Sequence, residues 1–162
     1  MSRGLMPFVL MSCVLGAQPA QREDAAVAAV LDDWHLAAAQ ADELRYFGHL
    51  RAGAVFLGTD ATERWPKAEF QAWAHPFFQR GRAWAFKAKQ RSLAFSVDGQ
   101  VAWFDESLDT PNLGPARGSG VLIKEQGRWR IAQYNLSVPI PNTLLATFKV
   151  QIEAHLKPVP TK

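Results

Sequence analysis

Cysteine occurs once in the 162 residues, at Cys13, so the chain can build neither an internal disulfide nor a thiolate metal site. Histidine is sparse too. His49, His75 and His155 stand apart and no His-x-x-x-His spacing occurs, so no metal site is expected. Gly118-Ser119-Gly120 falls inside a predicted strand rather than a phosphate-cradling loop, and Ser119 lacks a nucleophile-elbow context. No cofactor is implied. No apolar run approaches the roughly 20 residues of a membrane-spanning helix. Charge is not concentrated either: 18 Lys and Arg against 15 Asp and Glu leave +3, which does not call for nucleic acid as a partner. The one basic stretch, Arg80, Arg82, Lys87, Lys89 and Arg91, alternates as the solvated face of an edge strand would. Internal repeats and low-complexity segments are absent.

What the chain does have is apolar and aromatic mass. At 48% hydrophobic and 20% charged, it has the composition and length of one globular domain. The first 17 residues are read separately. Arg3 followed by the apolar run from Leu5 to Leu15, with Gly16 and Ala17 behind it, has the order of a secretory signal peptide. Leu10-Met11-Ser12-Cys13 also resembles a lipobox, in which Cys13 would carry lipid and give the only link to a membrane. Export, to a periplasm or beyond, is therefore the expectation.

Residues 18–23 read as a linker. Val27, Leu31, Trp34 and Ala38 then form one helical stripe, and Asp42 is placed to cap a second, short helix. A strand candidate at Ala54–Leu57 precedes a third helix opened by Pro66, with Phe70, Trp73 and Phe77 on its apolar side and Pro76 near its end. From Trp84 the period shortens to two. The inward parity changes between Trp84-Phe86-Ala88 and Leu93-Phe95-Val97, which predicts a β-bulge near Gln90–Ser92. Asp98-Gly99 predicts a two-residue hairpin turn, and Gln126-Gly127 another, before Pro139 and Pro141 end the sheet. A last helix follows from Asn142, with Leu145, Phe148, Ile152 and Leu156 on one face. The order is α+β: three N-terminal helices packed on a curved antiparallel sheet to form a cone, plus an extra C-terminal helix.

Asp33-Trp34-His35, Phe56–Asp60, Glu63-Arg64-Trp65, Ala102–Glu106, Gly118–Gly120 and Trp129–Ile131 with Leu136-Ser137 resemble the SnoaL-like branch of the nuclear-transport-factor-like superfamily. The resemblance covers about residues 24–142, leaving 143–162 as an additional helix and tail. It implies the cone, and it implies a range of roles: polyketide cyclases, ketosteroid isomerases, dehydratases, non-catalytic binders and association domains. The isomerase arrangement of a tyrosine and two acids has no complete counterpart here. A fold that hosts so many roles selects none of them.

Residues with chemical potential are few. His35 lies on the rim of the first helix's stripe, where an imidazole serves as acid, base or core-edge donor. Glu106 shares a strand face with Phe104 and Leu108, so a buried carboxyl with a raised pKa is expected. Together they are the candidate catalytic pair. A wide aromatic pocket is expected from Trp34, Phe56, Trp65, Trp73, Trp84 and Phe104, with Asp60 on its rim. In the last hairpin, a regular register opposes Gly118 to Asn135 and Gly120 to Gln133, a wall with room for a ligand. The reverse face, Val121, Ile123, Tyr134 and Leu136, is then left as a subunit contact of a homodimer. Three readings stay open: a binder of a small apolar or aromatic molecule, a cofactor-independent acid–base enzyme, or an association module.

Overall fold

The computed structural model describes residues 19–157. The expected signal peptide and the lipobox at Cys13 lie outside them. Helix α1 spans Pro19–Ala39, so Pro19–Glu23, expected as linker, is already helical. The reason is an anchor: Glu23 accepts from Lys124 Nζ at 2.7 Å and from Trp129 Nε1 at 2.8 Å, tying the first turns to the last hairpin. These two donors also hold the Glu23 carboxyl below its ordinary pKa. The predicted stripe is buried, with Val27, Leu31 and Ala38 at 0% exposure and Trp34 at 1%.

Asp42 caps α2 (Glu43–Gly48), its carboxylate accepting from the Arg45 N–H at 3.0 Å. Asp42→Ala is expected to cost about 1 kcal/mol in a urea melt, the ordinary value of an N-cap. Strand β1 (Leu50–Leu57) and the short β2 (Arg64–Pro66) lead to α3 (Lys67–Gln79). Pro66 is the N-cap rather than the first helical residue, and Pro76 sits in the last turn without ending it. Phe70, Ala74 and Phe78 are the buried side of α3, while Trp73 is 42% exposed. Four strands follow: β3 (Lys87–Phe95), β4 (Val101–Thr110), β5 (Gly114–Glu125) and β6 (Arg128–Ser137).

These make one six-stranded sheet in the order β2-β1-β6-β5-β4-β3, antiparallel except for the β1–β6 pair. One helix-facing surface and α1–α3 enclose the core. The β5–β6 turn is the expected two-residue one: Glu125 pairs with Arg128, with Gln126 at φ 51° and Gly127 at φ 77°. The β3–β4 turn is longer than expected. Ser96 N–H bonds the Val101 carbonyl across four loop residues, because Asp98 and the Ser96 hydroxyl together tie that loop.

Two bulges decide which side chains enter the cone. In β3, Ala88 pairs with Leu108 and Gln90 with Ser107, so Lys89 is the extra residue, one position before the expected window. In β6, Leu122 pairs with Ile131 but Val121 with Gln133, so Ala132 is inserted. The regular register therefore fails beyond Ala132. Gly120 faces Tyr134 and Gly118 faces Leu136. Tyr134 and Leu136, expected at a subunit contact, point inward at 1% and 7% exposure, while Gln133 and Asn135 turn to the outer surface beside Val121 and Ile123. Beyond a short 3-10 turn at Asn142–Leu144, α4 (Leu145–His155) buries none of its side chains.

Candidate functional site

The cone contains two distinct features, an open cavity and a buried polar cluster. The cavity holds about 550 Å³. Phe56 from β1, Trp65 from β2, Phe70 and Trp73 from α3, and Trp84 and Phe86 before β3 give it aromatic walls. Neighbouring rings lie close to parallel: Phe56 on Phe70 at 4.1 Å and 11°, Phe70 by Trp73 at 18°, and Trp65 by Trp73 at 28°. Leu136 closes the inner end, and Thr59, Glu63, Arg82 and Asn112 supply polar groups. Of the expected pocket residues, Phe56, Trp65, Trp73 and Trp84 line this space.

The others do not. Trp34 is packed inside the core, stacked on Tyr46 at 4.9 Å and edge-on to Tyr134 at 4.6 Å. Phe104 is buried beside Tyr134, and Asp60 is exposed in the turn where its carboxylate accepts from Thr62. The room beneath Gly118 and Gly120 is taken. A Cβ on Gly118 would run into the Tyr134 hydroxyl, and one on Gly120 into the Gln133 carbonyl. These glycines admit the tyrosine ring and the bulged strand, not a ligand. Gln133 and Asn135 face away from the cone altogether.

The polar cluster lies one layer deeper. His35 Nε2 stands 2.7 Å from Glu106 Oε1, and the Tyr134 hydroxyl donates to the same oxygen at 3.2 Å. Arg91 Nε donates to Glu106 Oε2 at 2.9 Å, with Nη2 at 2.7 Å from it. The guanidinium also reaches the Ala28 carbonyl and Asp32 on α1. Arg91 was expected on the solvated edge. The Lys89 bulge turns it inward, onto the face that carries Leu93 and Phe95. Burial alone would push the Glu106 carboxyl up, as expected for a carboxyl among aromatics. The His35 hydrogen bond and charge, with Arg91, outweigh that, and its pKa is lowered. Burial and the Glu106 charge raise the Tyr134 phenol well above its ordinary value.

His35 and Glu106 thus meet, but they do not line the cavity. Phe86, whose ring lies 6.0 Å from His35, and Phe56, stacked 5.7 Å from Tyr134, stand between. His35, Tyr134 and Arg91 Nε are all engaged with Glu106. Among the described residues, Trp34 Nε1, the Tyr46 hydroxyl and Arg91 Nη2 are buried without a hydrogen-bond partner. Among the described residues no group of His, Cys, Asp and Glu could hold a metal ion.

The SnoaL-like domain profile matches residues 27–141. The chain belongs to the SnoaL-like family. No curated protein matches this family member in sequence. Among solved structures it is similar to an NTF2-like protein of unknown function from Pseudomonas putida KT2440, with a TM-score of 0.64 and 13% identity over 78% of this chain and 92% of that one. It is also similar to a protein provisionally named scytalone dehydratase from Novosphingobium aromaticivorans, with a TM-score of 0.63 and 8% identity over 75% and 87% of the two chains. A third, from Xanthomonas campestris, is provisionally named a calcium/calmodulin-dependent protein kinase II association domain. It has a TM-score of 0.55 and 23% identity, over 83% of this chain and 99% of that one. At these identities the likeness fixes the SnoaL-like fold and nothing finer.

A second ionic group braces the helices of the SnoaL-like domain. Asp33 of α1 accepts from Arg45 Nε at 2.9 Å and lies 2.7 Å from His49 Nε2. The Arg45 hydrogen bond is the main reason its pKa falls from 3.8 to about 2. A carboxylate depressed by folding stabilises above its unfolded pKa, and that contribution disappears as pH falls through the folded value. The urea midpoint of Asp33→Asn is therefore expected below wild type at pH 6, with the gap closing between about pH 4 and pH 2.

Proposed function

We propose that this SnoaL-like protein is exported and binds a small apolar or aromatic molecule, without a cofactor, in the cavity framed by Phe56, Trp65, Trp73 and Trp84. The observation that carries this reading is the separation of the two features: an aromatic cavity of about 550 Å³ is open, while the ionisable groups one layer behind it are engaged with one another. A volume of that size accommodates a drug-sized ligand, and few polar groups converge on it. Export rests on the order of residues 1–17. A homodimer would place Val121, Ile123 and the 49% exposed Trp103 of the outer sheet face against a second copy.

The test is binding to the purified protein, followed by thermal shift and calorimetry across a panel of flat aromatics. A Leu136→Trp variant, which fills the inner end of the cavity, is expected to lose at least tenfold in affinity for whichever compound binds. Binding that survives this filling unchanged would place the ligand elsewhere.

The acid–base reading keeps one specific support, the 2.7 Å His35–Glu106 contact with Tyr134 on the same oxygen. In that reading Phe86 moves aside, Glu106 takes a proton from a carbon acid, and the proton passes across the Glu106–His35 contact for His35 to deliver to another substrate atom. A ligand consumed by wild type but bound intact by Glu106→Gln would establish this function instead.

A further inference from the structure

The cavity has an inner half and a rim of different chemistry. Phe56, Phe70 and Leu136, all buried, form the inner half, and Arg82 and Asn112 are exposed at the rim. Two charged side chains reach this space, Glu63 and Arg82, and they stand in different circumstances. Glu63 is committed to its own turn. Its Oε2 accepts the Asp60 N–H at 3.2 Å, its side chain lies against Gly58 where no Cβ would fit, and its backbone carbonyl takes the Gly58 N–H. The Arg82 guanidinium has neither a hydrogen-bond nor an ion-pair partner among the described residues, although its backbone N–H is tied to the Phe77 carbonyl. The neighbouring Arg80, by contrast, is occupied with the Pro76 carbonyl and the Phe77 ring.

A guanidinium at the mouth of an aromatic cavity is a planar fork of donors matched to two oxygens in a plane. The nearly parallel rings behind it favour a flat body over a branched one. We infer that the ligand is a planar aromatic carboxylate, its rings seated between Phe56, Phe70 and the tryptophans and its carboxylate held at the rim by Arg82, with the Asn112 amide beside it. This rests on the cavity being the binding site and adds the class of molecule it takes. Because Arg82 is exposed, the charge contributes selectivity more than bulk affinity, and salt weakens it.

Calorimetric titration of the full-length protein with 2-naphthoate, 2-naphthylmethanol and 2-naphthylmethylammonium tests the inference. The carboxylate is expected to bind about tenfold more tightly than the alcohol. Arg82→Ala should abolish that preference, weakening the carboxylate about tenfold more than the alcohol, and Arg82→Lys should retain part of it. Equal binding of acid and alcohol, a preference that persists in Arg82→Ala, or tightest binding of the ammonium would overturn the assignment to Arg82 and leave the cavity as a site for uncharged or cationic aromatics. Failure of all three probes, together with no shift across the wider aromatic panel, would remove the cavity reading and this one with it.

Discussion

Replacing Arg91 with Met is expected to destabilise the fold by about 3–5 kcal/mol, the range for breaking a buried ion pair by removing one partner. The side chain of Glu106 is wholly inaccessible and that of Arg91 is 11% exposed, so neither charge is relieved by water when the other is gone. The loss extends beyond the pair, because the same guanidinium joins β3 to the Ala28 carbonyl and Asp32 of α1. Urea denaturation measures it. The double variant Arg91→Met/Glu106→Gln should lose clearly less than the two single variants added together, since it removes the orphaned charge along with its partner. A single variant within about 1 kcal/mol of wild type would mean that His35 and Tyr134 suffice to hold Glu106, and that the guanidinium is incidental.

The second large effect is expected at Gly120. Its Cβ would overlap the Gln133 carbonyl, a backbone atom that cannot rotate away, and would come within 2.9 Å of the Phe104 ring. Gly120→Ala should therefore cost about 1–3 kcal/mol, the usual range for overpacking a filled interior. Structural change should centre on the Ala132 bulge, read by amide chemical shifts of β5 and β6. In contrast, Gly53→Ala meets nothing within 4 Å and serves as the control for generic loss of glycine. If Gly120→Ala behaves like the control, the space beneath β5 is free after all, and the hairpin regains its claim as a ligand wall.

These two variants mark where the sequence stops being readable. The helices were legible because amphipathic spacing and capping are local: Val27, Leu31, Trp34 and Ala38 are buried as their spacing predicts, and Asp42 caps where it stands. The meeting of His35 with Glu106 was legible too, since each lies on the apolar face of its own element. What failed was parity across a bulge. In β3 the change of apolar parity signals an inserted residue, and the same shift carries Arg91, two before Leu93, onto that residue's face rather than the expected solvent side. In β6 the same signature, Ile131 odd and Tyr134 and Leu136 even, equally fits a strand with two apolar faces. An inserted Ala132 explains it with one face, and it exchanges the cavity wall for the outer surface. The depressed pKa of Glu106 runs against the expectation from burial because the His35 hydrogen bond and charge lower it first, and Arg91, which arrives through a bulge, adds to them. Of the two helix tryptophans expected at the pocket, Trp73 lines it and Trp34 does not. The buried side of α3 runs Phe70-Ala74-Phe78, rotating Trp73 toward the cavity, while Trp34 is close-packed between Tyr46 and Tyr134.

The Lys89 bulge has a consequence for how copies of this protein can meet. β3 is the last strand on its side of the sheet, and an unbroken terminal strand is a template on which a neighbour's backbone can zip. The inserted residue interrupts that template midway, and Lys87 and Lys89 place like charges in the path of any matching strand from another molecule. Sheet-to-sheet extension into ribbons is thereby discouraged at this border.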